Sequence, residues 1–121
     1  MSYAAKTVLT FGVYMLAQGA ILLIAPNVLL RLVQLPETSE PWIRAVGIAV
    51  FVLGFYYVAA AKAELTAFFG WTVYMRTFQL LAFVALVALG IAETTILLFS
   101  CTEFIFGLWT LAALRTKTVE R

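Results

Sequence analysis

The sequence contains no histidine, only one cysteine and few charged residues, and each shortage narrows the function. Without histidine, the chain lacks the usual proton shuttle and the commonest metal ligand. The single cysteine, Cys101, excludes an intramolecular disulfide and is most simply interpreted as a small buried hydrophobe. The sequence also has no Gly-rich phosphate loop, nucleophile elbow or haem-attachment motif. It therefore predicts no cofactor, no metal site and no catalytic residue, and favours a protein that is not an enzyme.

Apolar residues are abundant instead. Hydrophobic residues make up 64% of the 121-residue chain, charged residues make up 12%, and the mean hydropathy is +1.04. An average soluble domain is roughly 45–50% apolar, so this composition is typical of a protein embedded in a lipid bilayer. The formal net charge of +2 is too small to indicate nucleic acid as a partner. The length allows a single integral membrane domain, residues 1–121, with at most four or five transmembrane helices.

Four apolar runs are long enough to cross a membrane as helices. They lie at residues 7–25, 41–61, 71–91 and 95–114. Because a hydrocarbon core about 30 Å thick requires roughly 20 helical residues, each run is predicted to span it once. A signal peptide cleaved at Ala17-Gln18-Gly19 is an alternative for the first run, although the apolar stretch continues through Ile24 to full membrane length. The predicted fold is all-α, a four-helix transmembrane bundle.

A short amphipathic segment follows the first run. Asn27, Arg31 and Gln34 recur at helical spacing, while leucine and valine cover most of the remaining surface. Pro26 suits the first turn of a new helix. The pattern is typical of a helix at residues 27–35 that lies in the membrane interface, and an ordinary loop with scattered leucines is the alternative.

Basic residues lie mostly on one side of the predicted membrane. Five of them flank that side, namely Lys6, Lys62, Arg115, Lys117 and Arg121, whereas Arg31 and Arg44 lie near the other side. By the positive-inside rule, both termini are predicted to be cytoplasmic, and an even number of spans agrees with this. The predicted location is therefore integral to the membrane, in the cytoplasmic (inner) membrane.

Small residues at intervals of seven predict where the helices pack. The interval recurs in three of the four runs, as Gly12 and Gly19, as Gly47 and Gly54, and as Ser100 and Gly107. Small residues let membrane helices approach closely and gain dispersion contacts. Glu103 lies between the last two positions and is therefore predicted on a packing face. Chance placement of the glycines is the alternative.

Glu103 also lies near the middle of the fourth run, where an ionised group costs about 3 kcal/mol and needs a partner. Counting 1.5 Å per residue from the span ends gives a candidate central polar network, whose members are Glu103, Arg76, Gln79, Gln18 and Tyr14. The sequence predicts a buried ion pair of Arg76 with Glu103. A protonated Glu103 bonded to Gln18 or Gln79 is the alternative. The network either fixes helix order and register or forms a ligand site.

The order of these parts resembles a known family. A span, a Pro-initiated segment, a second span opening with Trp42-x-Arg44-x-x-Gly47 and a tight pair of spans are similar to the small four-helix membrane proteins of the DoxX-like superfamily. The resemblance covers the whole chain in architecture. That superfamily is functionally mixed, with some members associated with membrane redox complexes, so the resemblance implies an accessory role. The small multidrug transporters have a similar length, but their membrane carboxylate lies in the first helix, where this chain has Gln18.

Two functional hypotheses follow from the sequence. The first is a non-enzymatic accessory or scaffolding protein that binds a partner membrane protein, a further copy of itself in a homo-oligomer, or lipid. The second is a small transporter or ligand-binding bundle in which Glu103 exchanges a proton as an organic cation or another apolar molecule enters. The surroundings of Glu103 separate the two, because a dry, paired carboxylate favours the first and a cavity open to one side favours the second.

Overall fold

The computed structural model describes the backbone of residues 1–120 and the side chains of residues 1–115. The helices are α1 (Tyr3–Ile24), α2 (Pro26–Leu32), α3 (Trp42–Lys62), α4 (Thr66–Ala88) and α5 (Leu97–Glu120), with a 3-10 turn at Thr94–Ile96. Four of them, α1, α3, α4 and α5, are long and apolar enough to cross a membrane, which confirms the predicted all-α four-helix architecture. The predicted cytoplasmic positions of the Lys117 side chain and of Arg121 lie outside the described residues.

Two spanning helices begin earlier than predicted. Helix α1 begins at Tyr3 because the Ser2 hydroxyl accepts a hydrogen bond from the Ala5 amide at 3.1 Å and caps the first turn. Helix α4 begins at Thr66, five residues before the predicted span, where the Phe69 amide donates to the Leu65 carbonyl at 3.3 Å, and Phe69 is fully buried in the bundle. Arg76 therefore lies ten residues into α4, near the middle of the helix.

The short helix predicted after the first span is α2, with Pro26 at its first position. Its buried Leu30 packs in a cluster with Leu22 of α1 and Ile43 of α3. The helix ends at Leu32. Gln34 has a φ of 61°, a left-handed backbone conformation that cannot form part of a right-handed α-helix. Helix α2 is therefore held against the ends of α1 and α3.

The spanning helices alternate in direction, and α1 lies at the centre of the packing. Helix α1 packs most extensively on α3, α4 packs on α5, and α1 joins the two pairs mainly through α5. One buried link between the pairs is the hydrogen bond of 2.8 Å between the hydroxyls of Thr7 and Thr110. By contrast, α3 and α4 meet through side chains, where the rings of Tyr57 and Phe68 lie 5.1 Å apart edge to face.

The interface between α1 and α3 brings the two backbones into contact at glycines. A Cβ added at Gly19 would lie 2.5 Å from the Phe51 amide nitrogen and 2.7 Å from the Gly47 carbonyl oxygen. One at Gly54 would lie 2.8 Å from the Leu16 amide nitrogen, and one at Gly12 would lie 3.1 Å from the Gly54 carbonyl oxygen. Because no side chain fits there, only glycine allows this approach, and the structure brings together all four predicted packing glycines of the first two spans.

Both ends of the bundle are held by polar contacts. At one end, the backbone amide and the hydroxyl of Ser2 donate to the Glu64 carboxylate in the α3–α4 turn, the second bond at 2.8 Å. At the other end, the Arg44 guanidinium of α3 donates to the carbonyls of Leu23 and Ile24 in α1. A cation at these carbonyls offsets the negative end of the α1 dipole. The two contacts tie the start of α1 to the α3–α4 turn and the start of α3 to the end of α1.

Candidate functional site

The polar side chains predicted for the membrane interior meet mainly between α4 and α5. The Gln79 side-chain amide of α4 donates a hydrogen bond to the Glu103 carboxylate of α5. The two helices are antiparallel, so Arg76, which precedes Gln79 by about one turn, lies opposite Gly107, which follows Glu103 by about one turn. The α4–α5 register therefore sets two polar levels, one with the paired amide and carboxylate and one with the guanidinium.

Arg76 is almost completely buried, with 3% of its surface exposed. Its Cζ lies 3.8 Å from the centroid of the Phe11 ring on α1 and 5.3 Å from that of the Tyr57 ring on α3. Its aliphatic stem fills the space left by Gly107, where an added Cβ would lie 3.3 Å from the Arg76 Cδ. Three other helices thus contribute to the guanidinium site, and the two aromatic faces attract its charge.

The predicted ion pair between Arg76 and Glu103 is not formed. The ion pair present among the described side chains joins Arg31 and Glu37 at 3.0 Å, and no Arg76 nitrogen lies within 4.0 Å of a Glu103 oxygen. The physical reason is register, because Arg76 faces Gly107, four residues and about 6 Å along α5 from Glu103. Gln79 occupies the position opposite the carboxylate instead.

Several buried polar atoms of this region have no hydrogen-bond partner. They are the Nε, Nη1 and Nη2 of Arg76, the Oγ of Ser100 and the Oε1 of Gln18. Buried polar groups in proteins are paired in the great majority of cases, so each exception calls for an explanation. The cation–π contact with Phe11 stabilises the charge of Arg76 but accepts none of its N–H groups in the plane of the guanidinium.

The remaining predicted members of the network lie at its edge. The ring of Tyr14 stacks on Phe11 with centroids 5.7 Å apart and contacts Phe106 at 5.6 Å, and its hydroxyl lies close enough to Glu103 for the carboxylate charge to act on it. The Gln18 side chain leaves its buried oxygen unpaired and does not reach the Glu103 carboxylate. The aromatic wall around Arg76 was not predicted from the sequence. The sequence feature that could have indicated this wall is the position of Phe11, Tyr14 and Gln18 on one face of α1.

Four surface grooves of about 270 to 600 Å³ lie elsewhere, and none is lined by Glu103, Arg76 or Gln79. One of them is lined by Cys101, which is exposed and not buried as the sequence predicted, because it faces away from the α4–α5 interface. Within the described residues, no group of three His, Cys, Asp or Glu side chains is placed to hold a metal ion.

The polar groups at this site are suited to binding a ligand. Glu103 already accepts a hydrogen bond, whereas the Arg76 guanidinium has five donors and no hydrogen bond of normal geometry, with the Tyr57 hydroxyl as the acceptor beside it. The arrangement can therefore bind a hydrogen-bond acceptor, preferably an anion. No family model, no curated protein and no solved structure matches this chain.

Proposed function

We propose that the protein is a non-enzymatic accessory or scaffolding subunit that binds a partner membrane protein through one face of α4. The observation that carries this proposal is a row of four large side chains at helical spacing, each 62% to 76% exposed. This aromatic face of α4 consists of Trp71, Tyr74, Phe78 and Leu81. The opposite face of the same helix buries Phe69, Thr72 and Arg76 in the bundle.

Aromatic side chains favour a protein partner over lipid alone. Tyr and Trp provide much of the binding energy at protein interfaces, because they bury a large area and also carry a polar group. Tyr74 is 76% exposed and lies about 12 Å along α4 from Thr66. A neighbouring membrane helix can supply a hydrogen-bond acceptor for the hydroxyl of this exposed residue.

The interior of the bundle supports scaffolding over transport. A proton-exchanging carboxylate needs access from one side, but Glu103 is bonded to Gln79 and lines none of the four surface grooves. The DoxX-like resemblance of the sequence belongs to the same proposal, because it implies an accessory role. A second copy of the chain and bilayer lipid are the alternative occupants of the aromatic face of α4.

The proposed location is the cytoplasmic (inner) membrane, with both termini in the cytoplasm. What supports this orientation is the distribution of basic residues. Lys6 near the start of α1 and Lys62 at the end of α3 lie at the end of the bundle where Ser2 bonds to Glu64. Arg44 lies at the opposite end. The positive-inside rule then assigns the end with more basic residues to the cytoplasm.

Site-specific photo-crosslinking tests the proposed interface. Benzoylphenylalanine replaces Tyr74 or Phe78 in the full chain, and the matched control carries it at Ile105, which is 65% exposed on α5. After irradiation of native membranes, we expect one defined protein adduct from the two α4 positions and none from Ile105. Lipid adducts alone at all three positions would contradict the proposal. An adduct only with a second copy would replace the accessory role by a homo-oligomer.

A further inference from the structure

The unpaired Arg76 guanidinium is the feature of the interior that the scaffolding role does not use. It is 3% exposed, and none of its three nitrogens has a hydrogen-bond partner. A guanidinium carries five N–H donors, and a buried charge normally has both a counter-charge and hydrogen bonds. Phe11 covers one face of the group but does not satisfy those donors. No acceptor of the described chain makes a hydrogen bond of normal geometry with the guanidinium, although the Tyr57 hydroxyl and the Glu103 carboxylate both act on its charge. The Tyr57 hydroxyl can satisfy only part of the five donors, so the site has room for a further acceptor.

Access to Arg76 is easiest between α3 and α4. Helix α3 is held to α1 by the glycine contacts, and α4 is held to α5, but no close backbone packing joins α3 to α4. The contact between them is the ring pair of Tyr57 and Phe68, and the Tyr57 ring lies 5.3 Å from the Arg76 Cζ. The half-buried Tyr57 ring therefore lies both at the α3–α4 contact and beside the guanidinium, where it also packs on the Phe11 ring at 5.5 Å.

The depth of the guanidinium selects the kind of acceptor. Arg76 lies ten residues from the start of α4, about 15 Å along the helix axis. A phospholipid keeps its headgroup at the membrane surface, whereas a single-chain acid can enter the hydrocarbon region in its neutral form. Arginine also matches a carboxylate in geometry, because the two groups form parallel hydrogen bonds. The aromatic rings of Phe11 and Tyr57 suit an apolar chain and disfavour a small hydrated ion.

We propose that Arg76 binds the carboxyl group of a single-chain lipophilic acid, such as a long-chain fatty acid, which enters from the lipid between α3 and α4 past Tyr57. The carboxyl oxygens accept hydrogen bonds from the guanidinium. Glu103 makes its hydrogen bond with Gln79 and acts on Arg76 through its charge alone, so the guanidinium donors stay available to the acid. This site is separate from the aromatic face of α4, so it does not depend on the proposed function.

Binding of palmitate to the full chain in neutral phosphatidylcholine nanodiscs tests the site. The variant is Arg76→Met, which keeps the apolar stem and removes every donor. The matched control is Arg31→Met, which removes an exposed arginine. We expect saturable binding of palmitate to the wild type and the control, and at least tenfold weaker binding to Arg76→Met. Methyl palmitate, which has no charge, should bind all three proteins equally weakly. Equal affinity of palmitate for the wild type and Arg76→Met would overturn the proposal.

Two competition experiments test which kind of anion occupies the site. Sodium acetate should not displace palmitate, and nanodiscs that contain phosphatidylglycerol should leave palmitate binding unchanged. Displacement by either would show that a free anion or a headgroup occupies the site, which contradicts a lipophilic acid. If Arg76→Met does not fold, Arg76→Lys keeps the charge without the planar fork and should still weaken palmitate binding severalfold. Unchanged affinity in Arg76→Lys would then count against the carboxylate geometry.

The entry route has its own matched pair of variants. Tyr57→Ala removes the ring in front of Arg76, whereas Tyr56→Ala removes a neighbouring ring that is 56% exposed. We expect palmitate to associate severalfold faster with Tyr57→Ala than with the wild type and at an unchanged rate with Tyr56→Ala. Equal association rates in all three proteins would exclude entry past Tyr57. The crosslinking at Tyr74 reports on the partner interface independently, so failure of one proposal is distinguishable from failure of the other.

Discussion

Replacing Gly19 with alanine should weaken the bundle measurably, because the added methyl group has no space between α1 and α3. Its Cβ would lie 2.5 Å from the Phe51 amide nitrogen and 2.7 Å from the Gly47 carbonyl oxygen, and both atoms belong to the backbone. Ordinary contact begins at 3.4 Å, so α3 would have to move by about 0.9 Å at this level. A gap of 0.5–1 Å forfeits roughly a quarter to a half of each dispersion contact.

The expected loss is about 1–3 kcal/mol of unfolding free energy, the range found for overpacked cores. Gly19→Leu and Gly54→Leu should cost at least as much. In lipid, no hydrophobic driving force between helices compensates for the lost dispersion contacts, so their loss should appear directly in the unfolding free energy. Equilibrium unfolding in mixed micelles of dodecyl maltoside and dodecyl sulfate, followed by circular dichroism, measures it.

A second glycine serves as the matched control. Gly70 is in helix α4, and an added Cβ there would meet no atom within 4 Å. Gly70→Ala should therefore be neutral or stabilise the helix by up to about 1 kcal/mol through its higher helix propensity. If Gly19→Ala and Gly70→Ala unfold at the same detergent ratio, the close approach of α1 and α3 does not contribute to stability and the argument is wrong.

Three further predictions concern the polar groups and the topology. Glu103→Gln should cost little stability, since a glutamine can still accept the Gln79 hydrogen bond, and a double-mutant cycle with Arg76→Met should show a coupling well below the roughly 3–5 kcal/mol lost when a buried ion pair is broken, because the two residues interact through charge but share no contact; a coupling of that size would restore the ion pair. Arg44→Met should cost about 0.3–1 kcal/mol, because the last carbonyls of α1 lose their cation; unchanged unfolding would show that this contact is only a surface feature. Reporter fusions after Arg121 and within residues 36–40 should label opposite compartments, and labelling of the same compartment would exclude the four-span topology.

The sequence by itself determined the spanning helices and the short helix after the first of them. Membrane length and apolar composition are properties of a local stretch, and each stretch must satisfy its own backbone hydrogen bonds as a helix in lipid. The glycine spacing is also readable locally. Gly12 and Gly19 lie on one face of their helix wherever that helix packs, and the structure brings this face against α3.

Tertiary structure alone decided which polar groups meet. The distance between Arg76 and Glu103 depends on the register of α4 against α5, which places Arg76 beside Gly107 and Gln79 beside Glu103. A helical turn is about 5.4 Å, so an error of a few residues changes which side chains face each other. The walls of the guanidinium site, Phe11 and Tyr57, come from helices far apart in sequence. Their meeting is a consequence of helix packing, which no local pattern in the sequence encodes.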